Sequence, residues 1–400
     1  MGKSISPDGI IAIRKAVDDA CVDKVKGLPG VTVVVVNKQG EELLAHTAGN
    51  KGDAASEAPL ALDAVYYMAS FTKLITGIAC MQLVERGELS LDDAEMLERL
   101  CPELKEVKVL QDDGTLVPKK KGITLRMLLS HTSGFGYSNG NKKLEGFLEN
   151  TGKFDQFLQP LVNQPGEKWE YGISIDWAGI VVERATNMRL GAYFQSNIFD
   201  PLSIKDISLL PSDEMRSKLV TMHRRHPDGT LRPMDYNLLK AVSTLSTRTN
   251  EEREQFFQGG GAGAFGTMRD YSSILAALIN GGTSPTTGNR ILTAKTVESM
   301  FQNQVPDMHN FHCELLPHIS PVNPAELPSY GWGLTFMMTS TPLGRSANSG
   351  FWAGAPNCYW WCDREHEIGV VIATQVLPIG DANVLRLWHT VESTIYQQLQ

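Results

Sequence analysis

The sequence predicts an α/β fold, an antiparallel sheet flanked by helices, with a mainly helical region inserted between the two halves of the sheet. Three observations predict it. A β-branched run at 31–36 is followed by the turn Asn37-Lys38-Gln39-Gly40 and a second strand-like piece at 42–47, a hairpin pattern. Strand-like runs recur only near the far end, at 333–338, 346–352, 357–361 and 368–374. Between the two groups the chain reads as helices joined by long polar connections. The sheet layer is therefore expected from about 7–68 and 255–400, the helical region over about 69–254, and residues 7–400 as one unit.

Each end of the chain offers a helix. Ser6 before Pro7 marks a helix start, and Ile10, Ile13, Val17, Ala20 and Cys21 form an apolar stripe at helical spacing. Over 381–400, Val384, Leu387, Trp388, Val391 and Ile395 line one face. Docking these two helices side by side packs both chain ends on one sheet. The cleft between the sheet layer and the helical layer is the expected site.

Composition narrows the function classes. Four hundred residues with 42% hydrophobic content suffice for a large core. The net charge of −8 argues against nucleic acid as a partner. Lys119-Lys120-Lys121, between Pro118 and Gly122, reads as a solvated loop. The six cysteines (21, 80, 101, 313, 358 and 362) contain no C-x-x-C pair, as expected of a reduced, cytoplasmic protein, and Cys358 and Cys362 share a strand-like run unsuited to a common metal. No apolar run is long enough for a transmembrane helix, and the N-terminus lacks the apolar core of a signal peptide. Met1-Gly2-Lys3-Ser4-Ile5-Ser6 fits the myristoylation pattern, but so short a match reads first as an ordinary solvent-facing start.

Ser70-Phe71-Thr72-Lys73 carries the chemistry. It is the one Ser-x-x-Lys in the chain. Residues i and i+3 of a helix share a face about 5–6 Å apart at Cβ, so a lysine there can take the serine proton without any histidine. The segment that follows, residues 74–81, is apolar nearly all round and reads as a buried helix. Desolvation at the start of such a helix disfavours a charged ammonium. Ser70 at the helix N-terminus would keep a backbone N–H free for an oxyanion.

In the setting Tyr66-Tyr67-Met68-Ala69-Ser70, this motif resembles the serine β-lactamase and penicillin-binding-protein superfamily, in its class C and family VIII esterase branch. Ile123-Thr124-Leu125-Arg126-Met127-Leu128-Leu129-Ser130-His131-Thr132-Ser133-Gly134 and Gly259-Gly260-Gly261 through Tyr271 fit in the right order, and the likeness spans residues 7–400. It implies a β-lactamase/transpeptidase-like fold with no cofactor and no metal. By resemblance, Tyr171 in Trp169-Glu170-Tyr171-Gly172-Ile173 carries the second motif. A phenol titrates near pH 10 and is a poor base alone; an adjacent ammonium stabilises the phenolate, so Lys73 and Tyr171 would act as one acid–base unit.

The third motif falls at Gly350-Phe351-Trp352-Ala353-Gly354-Ala355. By the family register, the N–H of Ala355 joins that of Ser70 in an oxyanion hole, and Gly354 lets the strand approach a substrate carbonyl closely. Two departures stand out. Trp352 replaces the Lys or His of this motif, and Ile173 replaces the asparagine that follows Tyr-x in β-lactamases. Both losses disfavour penicillins and D-alanyl peptides; apolar groups there suit a neutral ester or an acyl chain. Local sequence around Tyr171 and Tyr137 is similar to fungal acyltransferases of polyketide pathways, and by that likeness Tyr137 lines an acyl pocket.

The reading is a serine acyltransferase. An ester or thioester, free or carried on an acyl carrier protein, donates an acyl group to an alcohol through Ser70, with esterase activity when water accepts. A β-lactamase or D-alanyl peptidase, and a non-catalytic binding protein on the same fold, are the alternatives. Three other patterns are set aside. Gly136-Tyr137-Ser138-Asn139-Gly140 matches a nucleophile elbow but lacks a strand before it and an apolar helix after it. Gly261-Ala262-Gly263-Ala264-Phe265-Gly266 matches a dinucleotide motif but follows a charged run. His223 and His226, flanking Arg224 and Arg225, lack a third ligand and read as an exposed polar segment.

Overall fold

Ser6 caps the first helix, α1 (Pro7–Ala20), its hydroxyl accepting from the Gly9 N–H at 3.1 Å while Pro7 occupies the first turn. In this computed structural model, which describes residues 2–52, 58–151, 157, 159–308, 330–341 and 343–400, Cys313 lies outside the described residues. The hairpin follows as β1 (Gly30–Asn37) and β2 (Glu42–Gly49), turned at Gly40, whose φ of 77° suits glycine. Strand β3 (Tyr66–Ala69) leads into α2 (Thr72–Glu85), which is buried from Thr72 to Leu83. Helix α3 (Ser174–Thr186) packs on α2. Strands β4 (His223–Arg225) and β5 (Ala264–Gly266) come next, β5 pairing with β3. Helix α4 (Met268–Ile279) returns the chain to the sheet layer. The rest comprises β6 (Gly331–Trp332), β7 (Met337–Thr339), β8 (Ser349–Gly354), β9 (Cys358–Asp363), β10 (Ile368–Ala373), β11 (Val376–Leu377) and α5 (Ala382–Gln398).

Seven strands form one antiparallel sheet in the order β6-β7-β8-β9-β10-β1-β2. Its closing pair joins the two sequence groups, Thr32 opposite Ala373 and Val34 opposite Val371. Helices cover both faces: α4 lies on β1 and β10, and α1 and α5 pack together on the opposite side. A strand covered on both faces needs no polar side, and β1, β8, β9 and β10 are buried at every position. Side chains still alternate. Phe351 and Tyr359 stack on Trp388 of α5, with ring centroids 5.2 and 4.5 Å away. Their neighbours Trp352 and Trp360, cross-strand partners of one another, face the other layer. The chain ends meet where Ser4 and Gln400 exchange backbone hydrogen bonds and the Ser6 hydroxyl reaches Gln398 at 2.6 Å.

Three expectations are corrected. The run at 333–338 is a hairpin: Leu334 and Thr335 donate their N–H groups to Met300 and Leu129, with Thr335 at φ 83°, so the chain leaves the sheet between β6 and β7. Asn357 stands in a left-handed turn at φ 57°, its side chain accepting from Gly380 and Asp381 and donating to the Val376 and Pro378 carbonyls. The segment around His223 is not an exposed polar stretch. It forms β4, parallel to β11, with His223 buried and Arg225 paired to Asp381 at the start of α5.

Among the described residues no helix is long and apolar enough to cross a membrane, and no group of three His, Cys, Asp or Glu could hold a metal ion. The described cysteines are buried free thiols.

A buried ion pair ties α5 to the sheet. Arg345 and Glu392 meet twice at 3.1 Å, with side chains 1% and 0% exposed. Removing one partner of such a pair leaves the other charge stranded. Glu392→Ala is expected to destabilise the fold by about 3–5 kcal/mol, read as a lower urea midpoint at unchanged slope.

Candidate active site

The turn between β3 and α2 presents Ser70. Ala69 adopts φ 46°, uncommon for a residue with a Cβ, and its carbonyl accepts the Thr72 hydroxyl at 2.6 Å. This sharp reversal puts Ser70 in the turn itself, two residues before α2 begins. Lys73 follows in the first turn of α2 and is fully buried, whereas Ser70 is half-buried and accessible.

An ammonium has three donors, and that of Lys73 finds three oxygens: Ser70 Oγ at 3.0 Å, Tyr137 Oη at 3.2 Å and the Gly261 carbonyl at 2.8 Å. Its charge also lies 4.8 Å from the centre of the Tyr171 ring and 5.7 Å from that of Tyr137. Tyr171 Oη is 2.8 Å from Ser70 Oγ. Ser70, Lys73 and Tyr171 therefore converge, although Tyr171 lies 101 residues beyond Ser70.

The Trp352 indole N–H donates to Tyr171 Oη at 3.2 Å. Trp352 is fully buried, and its ring meets Tyr171 and Trp332 edge-on at 5.0 and 4.7 Å. Ile173 is packed in the core just before α3. Both are expected from the sequence to contact substrate; in the structure Trp352 packs against the tyrosine and Ile173 is buried in the core. Tyr137, expected to line an acyl pocket, is half-buried with its hydroxyl on Lys73. Gly354 ends β8 against β3, where an added Cβ would come within 2.5 Å of the Met68 carbonyl. Ala355, next in line, packs with the cluster that includes Tyr67 and Ala69.

Residues 17–390 match the Beta-lactamase family. The chain belongs to that family. Among curated relatives, monacolin J acid methylbutanoyltransferase of Aspergillus terreus is 31% identical, covering 97% of this chain and 95% of its own. Lovastatin esterase of Penicillium rubens is 31% identical over 95% and 96%. The structure of a mutant simvastatin synthase (LovD) from Aspergillus terreus superposes with a TM-score of 0.85 at 29% identity, over 98% of this chain and 95% of that one. The chain is thus a beta-lactamase-family enzyme of the acyl-transferring and ester-cleaving branch, as its motifs implied.

Three residues at the centre escaped the sequence reading. Gly261 was seen only as part of a glycine run, yet its carbonyl holds Lys73. Asp176, buried in the first turn of α3, accepts the Gly261 N–H at 2.9 Å. His131, noted only within its motif, sits beneath Tyr171 with ring centres 4.8 Å apart and accepts the Gly172 N–H at 3.4 Å. Burial, and secondarily Lys73, hold its imidazole well below the usual range, so it stands neutral beside the ammonium. The rejected patterns stay rejected. Ser138 lies in a single 3₁₀ turn after an extended Tyr137, and the 261–266 glycines lead into β5 instead of following a strand.

The indole of Trp352 can stabilise negative charge on Tyr171 only through its N–H. Trp352→Phe keeps the ring and removes that donor. It is expected to lower kcat for a p-nitrophenyl ester about tenfold at unchanged KM, measured by steady-state kinetics.

Proposed function

We propose that this enzyme is a serine acyltransferase with a Ser70-Lys73-Tyr171 centre. It transfers an acyl group from a small-molecule ester or thioester to an alcohol and hydrolyses the acyl-enzyme when water is the acceptor. The observation that carries this reading is the contact of one reachable hydroxyl with both a phenol and a buried ammonium, at 2.8 and 3.0 Å. Ser70 Oγ attacks the donor carbonyl as its proton passes to the Tyr171–Lys73 unit, which accepts it when the pair holds one proton fewer than phenol plus ammonium, and the new C–O bond forms. The backbone N–H groups of Ser70 and Ala355 receive the oxyanion; one such donor is worth about 3–4 kcal/mol of barrier. Collapse breaks the bond to the leaving alcohol or thiol, which takes the proton back. The acceptor hydroxyl then repeats the sequence in reverse on the acyl-enzyme.

The side chains at positions 352 and 173 support this choice over a β-lactam or D-alanyl peptide. Trp352 and Ile173 offer neither a cation for a carboxylate nor an amide for a peptide. The methylbutanoyltransferase relative supports a short branched acyl group, and the esterase relative supports water as an alternative acceptor. An acyl carrier protein is the macromolecular partner this reading admits. Buried free thiols fit a reducing, cytoplasmic setting.

Intact-mass spectrometry after incubation with a panel of acyl thioesters tests the reading. One acyl adduct at Ser70 is expected, absent in Ser70→Ala. Tyr171→Phe should slow ester turnover about 10²–10⁴-fold. Ser138→Ala should leave turnover unchanged, and nitrocefin should turn over far more slowly than short-chain esters. An unmodified Ser70, or nitrocefin turnover matching that of esters, overturns the proposal.

A further inference from the structure

Asp176 is buried, takes no part in the reaction steps above, and lies against the backbone that holds Lys73. Its Oδ1 accepts the Gly261 N–H, and the carbonyl of the same residue accepts from Lys73 Nζ. Gly261 is therefore fixed from both sides, by a carboxyl oxygen at its nitrogen and the lysine Nζ at its oxygen. The fit leaves no space for a side chain: a Cβ on Gly261 would come within 2.4 Å of Asp176 Oδ2. Gly260, beside it, is also crowded. The Gly260 carbonyl accepts from the Thr76 hydroxyl at 2.7 Å, and a Cβ there would meet the Ile175 carbonyl at 2.9 Å and Gly179 Cα at 3.1 Å. The glycine loop is wedged between α2, which carries Lys73, and α3, which carries Asp176.

The electrostatics agree with the geometry. The titratable groups facing Lys73 are the phenols of Tyr137 and Tyr171, the neutral imidazole of His131, and Asp176. Tyr67 faces Asp176 from β3. Asp176 is thus the carboxylate of the set. Burial raises its pKa, while Lys73 and the Gly261 N–H oppose that shift by favouring the anion.

We propose that Asp176 is the positioning residue and counter-charge of Lys73. Through Gly261 it fixes the ammonium between Ser70 and Tyr171, and its negative charge favours the protonated lysine over the neutral one. This inference rests on the acyl-enzyme reading above and assigns no new reacting group.

Asp176→Asn keeps an oxygen for the Gly261 N–H and removes the charge. Asp176→Ala removes both. The experiment measures acylation of wild type and both variants by a p-nitrophenyl ester in single turnovers across pH, with intact-mass detection of the Ser70 adduct. With the anion gone, the ammonium loses its proton more readily. The acid limb of the acylation rate should therefore move to lower pH in Asp176→Asn, by about one unit, with a modest fall in the plateau. In Asp176→Ala the plateau should also fall, about ten- to a hundredfold, as the lysine loses its placement. An acid limb in Asp176→Asn that coincides with wild type overturns the proposal even if the rate falls, since lost packing alone would lower the rate without moving the limb. Wild-type protein that forms a Ser70 adduct alongside an unshifted Asp176→Asn removes this inference alone. Wild-type protein that forms no adduct removes the parent reading as well.

Discussion

Burying the ammonium of Lys73 is the constraint that shapes this site. Removing such a charge from water costs several kcal/mol unless each donor is matched. Here the matching oxygens come from three separate segments of chain: the β3–α2 turn, the 137 region and the glycine loop before β5. A buried lysine with no acidic side chain within 4 Å, among the described residues, is held by oxygens and ring faces. That arrangement keeps its proton transferable, because no direct ion pair locks the charge in place. The left-handed Ala69, the crowded glycines and the paired tyrosines are all local consequences of seating one cation beside one hydroxyl.

The aromatic layer behind Tyr171 follows from the sheet. Alternation along β8 sends Phe351 to one face, to stack on Trp388, and Trp352 to the other, to meet the phenol. The strand that anchors the C-terminal helix thereby also sets the polar environment of the candidate base. His131 and Trp169 pack on the same ring, and Trp332 in turn backs His131, Trp169 and Trp352. A ring packed on several sides keeps its hydroxyl aimed at Ser70 without spending side-chain freedom during the reaction.

Much of this was legible in the sequence, and the residues show why. Ser70 and Lys73 are one helical turn apart, so local spacing alone puts them together. The β1–β2 hairpin and both terminal helices carry their own periodicity and caps, and they lie where pattern placed them. Tyr171 was found through motif order, since nothing in local spacing links it to Ser70. What stayed hidden depends on backbone atoms or on distant partners. Gly261 acts through its carbonyl, which every residue has, and Asp176 acts through Gly261. Strand β4 reads as an exposed polar segment because its stability comes from β11 and Asp381, far along the chain. The 333–338 run looks like one strand because pattern cannot foresee that Leu129 and Met300 compete for its N–H groups.

The pairing of β1 with β10 has a consequence for biosynthesis. Thr32 waits for Ala373, so β1 has one vacant edge until the more than three hundred residues that separate the two strands have been translated. During that interval β1 presents an unsatisfied row of valines, the kind of surface that chaperones shield and that recruits neighbouring nascent chains when they do not. Assembly of the reactive pocket should accordingly be slow, since it waits until β10 has joined β1.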